Sequence, residues 1–166
     1  NVSGQQLIDP ELAACVYEAL NRYSVSPSDL ILELTESTLV VNGEAGRKVL
    51  EEIKLLGVRI SIDDFGTGYS SLSCLQNFPI DVLKIDRSFI QNLDERRDVE
   101  AIVQAVITLA HNLGMAVVAE GLETIEQLAY LRTLGCDLGQ GYYFSKPLVA
   151  EKARELVAAM YLPTAS

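Results

Sequence analysis

Short apolar runs recur along the chain, and each is followed by a stretch with helical periodicity. The runs are four or five residues long and mostly apolar on both faces, which is typical of strands in a parallel sheet covered on both sides. They occur at Leu30–Leu34, Val58–Ile62, Val82–Ile85, Met115–Ala119 and Cys136–Gly139. The pattern predicts five buried strands.

Helices are predicted between these runs from apolar spacing and from end signals. Asp9 and Pro10 are typical of a helix start, and Gly57, Gly114 and Gly135 are typical of residues that follow a helix end. The predicted helices run from about Pro10 to Arg22, Glu44 to Leu56, Ser70 to just before Pro79, Asp94 to Leu113, Thr124 to Leu134, and Val149 to Met160.

Alternating strands and helices predict an α/β fold with parallel strands joined by crossover helices. Counting one strand implied just before Asn1, the chain has six β/α units of a (β/α)8 barrel. A complete barrel needs about 250 residues, so six units need about 190, close to the 166 present. An open doubly wound sheet fits the alternation almost as well, and the polar strand ends favour the barrel.

Polar residues end every predicted strand. In a barrel these ends meet at one mouth, where active sites are built. A single acidic residue there is commonly the N-cap of the next helix, but six coincident polar ends are harder to explain in that way. The residues are Asn1, Glu33, the pair Asp63 and Asp64, Lys84, Glu120 and Gln140.

Carboxylates gathered at one mouth repel one another unless cations lie between them. Because His111 is the sole histidine and the cysteines form no pair, the ligands would be oxygen atoms, which suits Mg²⁺ or Mn²⁺. A turn at the strand end could bring both Asp63 and Asp64 to the mouth, where one carboxylate could bridge two metal ions that act on a phosphodiester. Lys84 would orient a water or a phosphate oxygen; the alternative is a salt bridge with Asp86 or Asp63.

Composition narrows the possible partners and location. The net charge of −10 argues against binding a polymeric nucleic acid, which needs many Lys and Arg residues. Cys15, Cys74 and Cys136 are odd in number and far apart, so we expect free thiols in a reducing cytoplasm. No apolar run spans a bilayer. Because the chain begins with Asn1, we expect a piece of a longer protein, whose upstream domains could carry a membrane tether.

Five segments resemble, in order, the motifs of the EAL-domain family, the bacterial cyclic di-GMP phosphodiesterases with a modified TIM barrel. The resemblance covers Asn1 to about Met160, and we expect residues 1–166 to be the C-terminal three quarters of one EAL-type domain, without its first strands. The segments are Glu33–Glu36, Asp63–Leu72, Pro79–Asp86, Ala119–Thr124 and Gly139–Pro147.

The resemblance implies a role for each matching residue. Two divalent cations, Mg²⁺ or Mn²⁺, would be held by Asn1, Glu33 and Asp63 and by Asp63, Asp64 and Glu120, with Asp63 shared. Lys84 would hold the attacking water, and the product would be linear 5′-pGpG. Further implied roles are substrate contacts by Asp64, Glu123 and Gln140, anchoring by Glu36 of the loop Phe65–Leu72, and homodimer contacts near that loop.

One departure from the family pattern affects activity. The glutamate of the signature Glu-Ala-Leu and the arginine shortly after it belong upstream of Asn1, and Glu18–Ala19–Leu20 lies in a predicted outer helix and cannot replace it. We therefore expect weak or no activity from these 166 residues alone. For the intact domain, three hypotheses stand: an active phosphodiesterase, a non-catalytic cyclic di-GMP receptor, and a protein-interaction module.

Overall fold

The computed structural model describes residues 1–66, 72–93 and 96–161 and contains a five-stranded parallel sheet. All five predicted strands are present, with ends shifted by a few residues at most. Their bounds are Ile31–Thr35 (β1), Arg59–Phe65 (β2), Val82–Ile85 (β3), Ala116–Glu120 (β4) and Leu138–Gln140 (β5).

Strand order decides between the two predicted architectures. Each strand pairs in parallel with the next one along the chain, so the order is β1-β2-β3-β4-β5. A doubly wound sheet reverses its direction of growth at a switch point, whereas a barrel grows one way only. The observed order is that of the barrel. The backbone N–H of Val2 donates to the carbonyl of Glu33 at 2.8 Å. The start of the chain therefore lies beside β1, where the strand expected before Asn1 would end.

The helices confirm most of the predicted ones and add two that are too short for periodicity to reveal. These two are α1 and α5. No helix in the described ranges is both long and apolar enough to cross a membrane. The helices are Gly4–Leu7 (α1), Leu12–Tyr23 (α2), Glu36–Leu55 (α3), Leu72–Asn77 (α4), Arg87–Gln91 (α5), Arg97–Asn112 (α6), Ile125–Thr133 (α7) and Ala150–Tyr161 (α8).

Two helical stretches joined by a kink at Gly43 make up α3; the second begins at Glu44, as predicted, but the first was not predicted. The helix begins at Glu36, directly after β1, because the side chain of Thr35 accepts a hydrogen bond from the backbone N–H of Thr38. Gly43 interrupts the helix with a φ of 42°, a value that glycine adopts without steric cost. The bend hides the first part of the helix from a periodicity count.

The two faces of the sheet differ sharply in chemistry. One face packs against the helices and is made of apolar side chains that are at most 1% exposed: Leu34, Ile60, Ile62, Leu83, Ile85, Val117 and Ala119. Burial of each large side chain contributes roughly 1.5–3 kcal/mol. The other face bears Glu33, Ser61, Asp63, Lys84 and Glu120, which alternate with the apolar positions along β1 to β4.

Two similar polar clamps join the N-terminal ends of the strands. Asp81, just before β3, accepts a hydrogen bond from the backbone N–H of Ile60 at 2.8 Å and pairs with Lys54 at 2.5 and 2.7 Å. Asp137, just before β5, accepts from the backbone N–H of Val117 at 2.8 Å and contacts His111 at 2.9 Å. In both clamps the partner side chain lies in the last turn of the helix that precedes the strand donating the N–H group: α3 precedes β2, and α6 precedes β4.

We expect Asp81→Ala to lower the free energy of unfolding by about 2 kcal/mol, because it removes charge-assisted hydrogen bonds and leaves the N–H of Ile60 without its acceptor. Denaturant unfolding measures this change. Glu51→Ala, which removes an exposed partner of Arg47 on α3, is the control and should change stability little. Equal effects of the two substitutions would contradict the clamp.

Candidate metal centre

Three carboxylates surround one ammonium group at the C-terminal ends of the strands. The Nζ atom of Lys84 lies 2.6 Å from Oε1 of Glu120, 3.0 Å from Oε1 of Glu33 and 3.2 Å from Oδ1 of Asp63. The Lys84 side chain is only 7% exposed, while the carboxylates remain 18–30% exposed towards the mouth. Four successive strands thus contribute one charged group each to a single cluster.

A β-bulge brings the adjacent acids Asp63 and Asp64 to the same place. Ile62 pairs with Leu83 and Phe65 with Ile85, so β2 has one residue more than β3 over this stretch. Asp64 lies in this bulge with a φ of 55°. This value is in the left-handed region, which Asp tolerates better than most residues. The backbone N–H of Asp64 donates to Oδ1 of Asp63 at 3.0 Å.

The charges of the cluster shift its pKa values in a consistent pattern. Burial by itself lowers the pKa of Lys84, but hydrogen bonds to Glu120 and Glu33 outweigh burial and hold that pKa above its ordinary value. Burial raises the pKa of Glu120 despite the hydrogen bond from Lys84. Burial and the charge of Asp63 raise the pKa of Asp64. The site gathers four carboxylates, those of Glu33, Asp63, Asp64 and Glu120, around one ammonium group, so the negative charge is not fully offset.

The donor set fits a hard divalent cation. Asp63, Asp64 and Glu120 each present a carboxylate oxygen, and these oxygens all lie within 4.8 Å of one another. Oxygen ligands at such spacing suit Mg²⁺ or Mn²⁺. Glu33 joins this group through Lys84, and the backbone beside β1 places Asn1 next to Glu33.

The helix-cap role that strand-end acids commonly have is not that of Glu33 or Glu120. Asp86 is an N-cap: it accepts from the backbone N–H of Ser88 at 2.9 Å, and the bonds from Ser88 overcome burial and lower the pKa of Asp86. Threonines cap α3 and α7, so Glu33 and Glu120 are not needed as caps. Lys84 does form a salt bridge with Asp63, as one alternative had it, but as part of a wider cluster and not with Asp86.

Glu123 and Gln140, the predicted substrate contacts, lie with Glu120 around one cavity of about 220 Å³. Gln140 pairs with Glu120 across β4 and β5, and Gln91 donates to Oε1 of Glu123 at 3.3 Å. Glu36 is 5% exposed at the start of α3. The loop that Glu36 was predicted to anchor runs through residues 67–71, which lie outside the described ranges.

Sequence reasoning missed part of this cavity. Arg87 and Gln91 on α5, together with Tyr142, also line it. Arg87 follows the end of β3 by two residues, so an inspection of the residues just after this strand could have found it. Ser61 was also missed: its hydroxyl is buried on the polar face and has no hydrogen-bond partner within the described part of the chain.

The model of the EAL domain family matches residues 1–147. The bifunctional diguanylate cyclase/cyclic di-GMP phosphodiesterase MucR of Pseudomonas aeruginosa is 46% identical over 158 residues, which are 95% of this chain and 23% of that protein. The cyclic di-GMP phosphodiesterase NbdA of the same organism is 48% identical over 145 residues, 87% of this chain and 18% of that protein. The chain thus spans about a fifth of the length of these relatives.

Solved structures confirm the barrel. The MucR phosphodiesterase in complex with c-di-GMP superposes with a TM-score of 0.86 and 46% identity, over 92% of this chain and 62% of that one. A manganese/cy-diGMP complex of Klebsiella pneumoniae BlrP1 gives a TM-score of 0.80 and 34% identity, over 86% of this chain and 36% of that one. The five strands are therefore part of a modified (β/α) barrel.

We expect Mg²⁺ or Mn²⁺ to raise the melting temperature of the protein in a concentration-dependent way, because the folded carboxylate cluster binds the cation and the unfolded chain does not. Asp64→Asn should weaken this shift and still fold, since Asn also tolerates the left-handed conformation at this position. Glu51→Gln on α3 is the matched control. Thermal unfolding with and without EDTA measures the effect, and the absence of any shift with both cations would contradict the site.

Proposed function

Because the chain belongs to the EAL domain family, we propose that it hydrolyses one phosphodiester bond of cyclic di-GMP and releases linear 5′-pGpG. The reaction takes place at the mouth of the barrel, at the cluster of Glu33, Asp63, Asp64, Lys84 and Glu120. The observation that carries this proposal is the burial of one charged lysine among carboxylates from three neighbouring strands.

Two divalent cations, Mg²⁺ or Mn²⁺, fit the carboxylates. Asp63, Asp64 and Glu120 would hold one ion, and Asn1, Glu33 and Asp63 the other, so that Asp63 is shared. When bound, the cations supply Lewis acidity, which lowers the pKa of a bound water and offsets charge on the phosphodiester. The bulge in β2 supports the shared role of Asp63, because it lets Asp63 and Asp64 face the mouth together.

Lys84 would position the attacking water. Its raised pKa keeps the ammonium group charged, and three carboxylates fix Nζ from three directions. Hydrogen bonds to Glu120 and Glu33 use two of the three N–H groups of Lys84, so the third, near Asp63 at 3.2 Å, would donate to a water or a phosphate oxygen once a cation neutralises Asp63. The carboxylates around Lys84 would accept the proton of that water.

Substrate contacts fall on the residues beside the metal cluster. Asp64, Glu123 and Gln140 would contact cyclic di-GMP, and Glu36 would anchor the loop that follows β2. The cavity shared by Glu120, Glu123 and Gln140 supports the first assignment. The names of MucR, NbdA and the BlrP1 complex support the substrate, since each refers to cyclic di-GMP.

The active unit would be a dimer of a cytoplasmic domain. Residues 1–166 form the C-terminal part of an EAL-type domain that works in the cytoplasm, with any membrane tether in another part of the protein. The domain forms a homodimer through the region of Phe65–Leu72. Phe65 directly follows Asp63 and Asp64 at the end of β2, so a subunit contact in this region would lie next to the metal cluster.

The full-length protein, incubated with cyclic di-GMP and Mg²⁺ or Mn²⁺, should yield 5′-pGpG, identified by chromatography. Asp63→Asn should reduce turnover by more than the roughly 10- to 100-fold that the loss of an outer-sphere partner costs, because Asp63 serves both ions. Asp98→Asn, an equal change on an exposed residue of α6, should leave turnover unchanged.

The outcome also separates an enzyme from a receptor. Tight binding of cyclic di-GMP without hydrolysis in the presence of either cation would contradict the enzymatic proposal and favour a non-catalytic receptor. No nucleotide binding at all would contradict both and favour a protein-interaction module.

Lys84→Met should lower kcat by roughly 100-fold or more with a smaller effect on KM, because it removes the group that positions the water and spares the substrate contacts. Lys84→Arg keeps the charge but places a wider, planar group among three carboxylates, so we expect partial activity. Thermal unfolding of both variants checks that the fold survives. Equal kcat values for Lys84→Met and the wild type would contradict this role.

A further inference from the structure

A cavity of about 220 Å³ lies beside the metal cluster and opens at the mouth of the barrel. Its walls come from three parts of the chain: α5, the segment after β4 and the segment after β5. The lining residues that carry the argument are Arg87, Gln91, Glu123, Gln140 and Tyr142.

Arg87 is the one cation among the described residues that line this cavity, and none of its side-chain atoms forms an ion pair or a hydrogen bond with the described part of the chain. Two carboxylates line the same cavity, yet Glu120 pairs with Lys84 at 2.6 Å and Glu123 accepts a hydrogen bond from Gln91 at 3.3 Å. The donors of the guanidinium group are therefore available to a ligand.

Close backbone packing fixes the position of Arg87. Gly121 has a φ of 74°, and a Cβ atom on it would lie 2.5 Å from Cβ of Arg87. A Cβ on Gly141 would lie 2.2 Å from the carbonyl oxygen of Leu122. Only glycine fits at these two positions, so the three walls are in direct contact behind the cavity, and Arg87 starts from a rigid base.

We propose that Arg87 is the specificity-determining residue for the nucleobase and that it donates two hydrogen bonds to O6 and N7 of one guanine of the substrate. This inference rests on the proposed hydrolysis of cyclic di-GMP. Guanine offers two acceptors on that edge, which match the paired N–H groups of arginine, whereas adenine offers an amino donor beside N7. Glu123 lies in the same cavity and accepts from N–H groups, which guanine also presents on its pairing edge.

A phosphate group is the competing ligand for Arg87. Two observations favour the base. Glu123 lines the same cavity, forms no ion pair with the described part of the chain and would repel a phosphate, and the ring of Tyr142, 60% exposed, offers a face on which a base can stack. A guanidinium group next to carboxylates and an aromatic ring is the combination that recognises a purine edge.

The test compares cyclic di-GMP with cyclic di-AMP in the full-length protein, by kcat/KM and by calorimetric affinity. Arg87→Ala should lower kcat/KM and affinity for cyclic di-GMP by about tenfold or more, the discrimination that one bidentate contact provides. The decrease in kcat/KM and affinity for cyclic di-AMP should be much smaller. The ratio of the values for cyclic di-GMP and cyclic di-AMP should therefore fall. Arg87→Lys should behave like Arg87→Ala, because lysine keeps the charge but loses the paired donors.

Arg97→Ala, which removes an exposed arginine at the start of α6, is the control and should leave both substrates unaffected; thermal unfolding confirms that each variant is folded. Equal losses for both substrates, with rescue by Arg87→Lys, would assign Arg87 to a phosphate and overturn the inference. An unchanged preference in Arg87→Ala would also overturn it.

Failure of the proposed function has a different signature. A wild-type protein that binds cyclic di-GMP without hydrolysing it contradicts the enzymatic proposal, while the affinities of the Arg87 variants still decide the role of Arg87. A wild-type protein that binds neither dinucleotide contradicts both the function and the base contact.

Discussion

Electrostatic attraction between one buried ammonium group and three carboxylates governs the mouth of this barrel. Lys84 lies within 3.2 Å of Glu120, Glu33 and Asp63, and its side chain is almost fully removed from water. A buried charge is costly unless it is paired, so the positions of all four groups depend on one another. The remaining negative charge, increased by Asp64, is what makes the site suited to cations.

Stability and chemistry are separated along the strands. At the N-terminal ends, Asp81 and Asp137 each join two strands and a helix through a carboxylate that accepts a backbone N–H. At the C-terminal ends the charged groups face one another across the mouth. This division is typical of (β/α) barrels, in which the C-terminal face carries the active site and the N-terminal face carries stability. The clamps at the N-terminal ends hold the strands in register. The C-terminal ends can therefore tolerate repulsion between the carboxylates.

The same separation exists across the thickness of the sheet. The outward face is apolar and nearly inaccessible to water, and it supplies the hydrophobic free energy of packing against the helices. The inward face is free to carry polar groups, even the hydroxyl of Ser61, which is buried without a hydrogen-bond partner among the described residues. Because successive side chains of a strand point to opposite faces, residues that pack against the helices alternate with residues that carry the polar groups.

Local patterns in the sequence determined the strands, most helices and the strand-end residues Glu33, Asp63, Lys84 and Glu120, because periodicity and end signals act over a few residues. They did not determine the early start of α3, which depends on a cap at Thr35 and a bend at Gly43. Nor could they choose between a barrel and a doubly wound sheet by alternation alone. Strand order arises from contacts between distant segments, and only the tertiary structure decided it, together with the bulge that unites Asp63 with Asp64 and the cavity that brings Arg87 to Glu123.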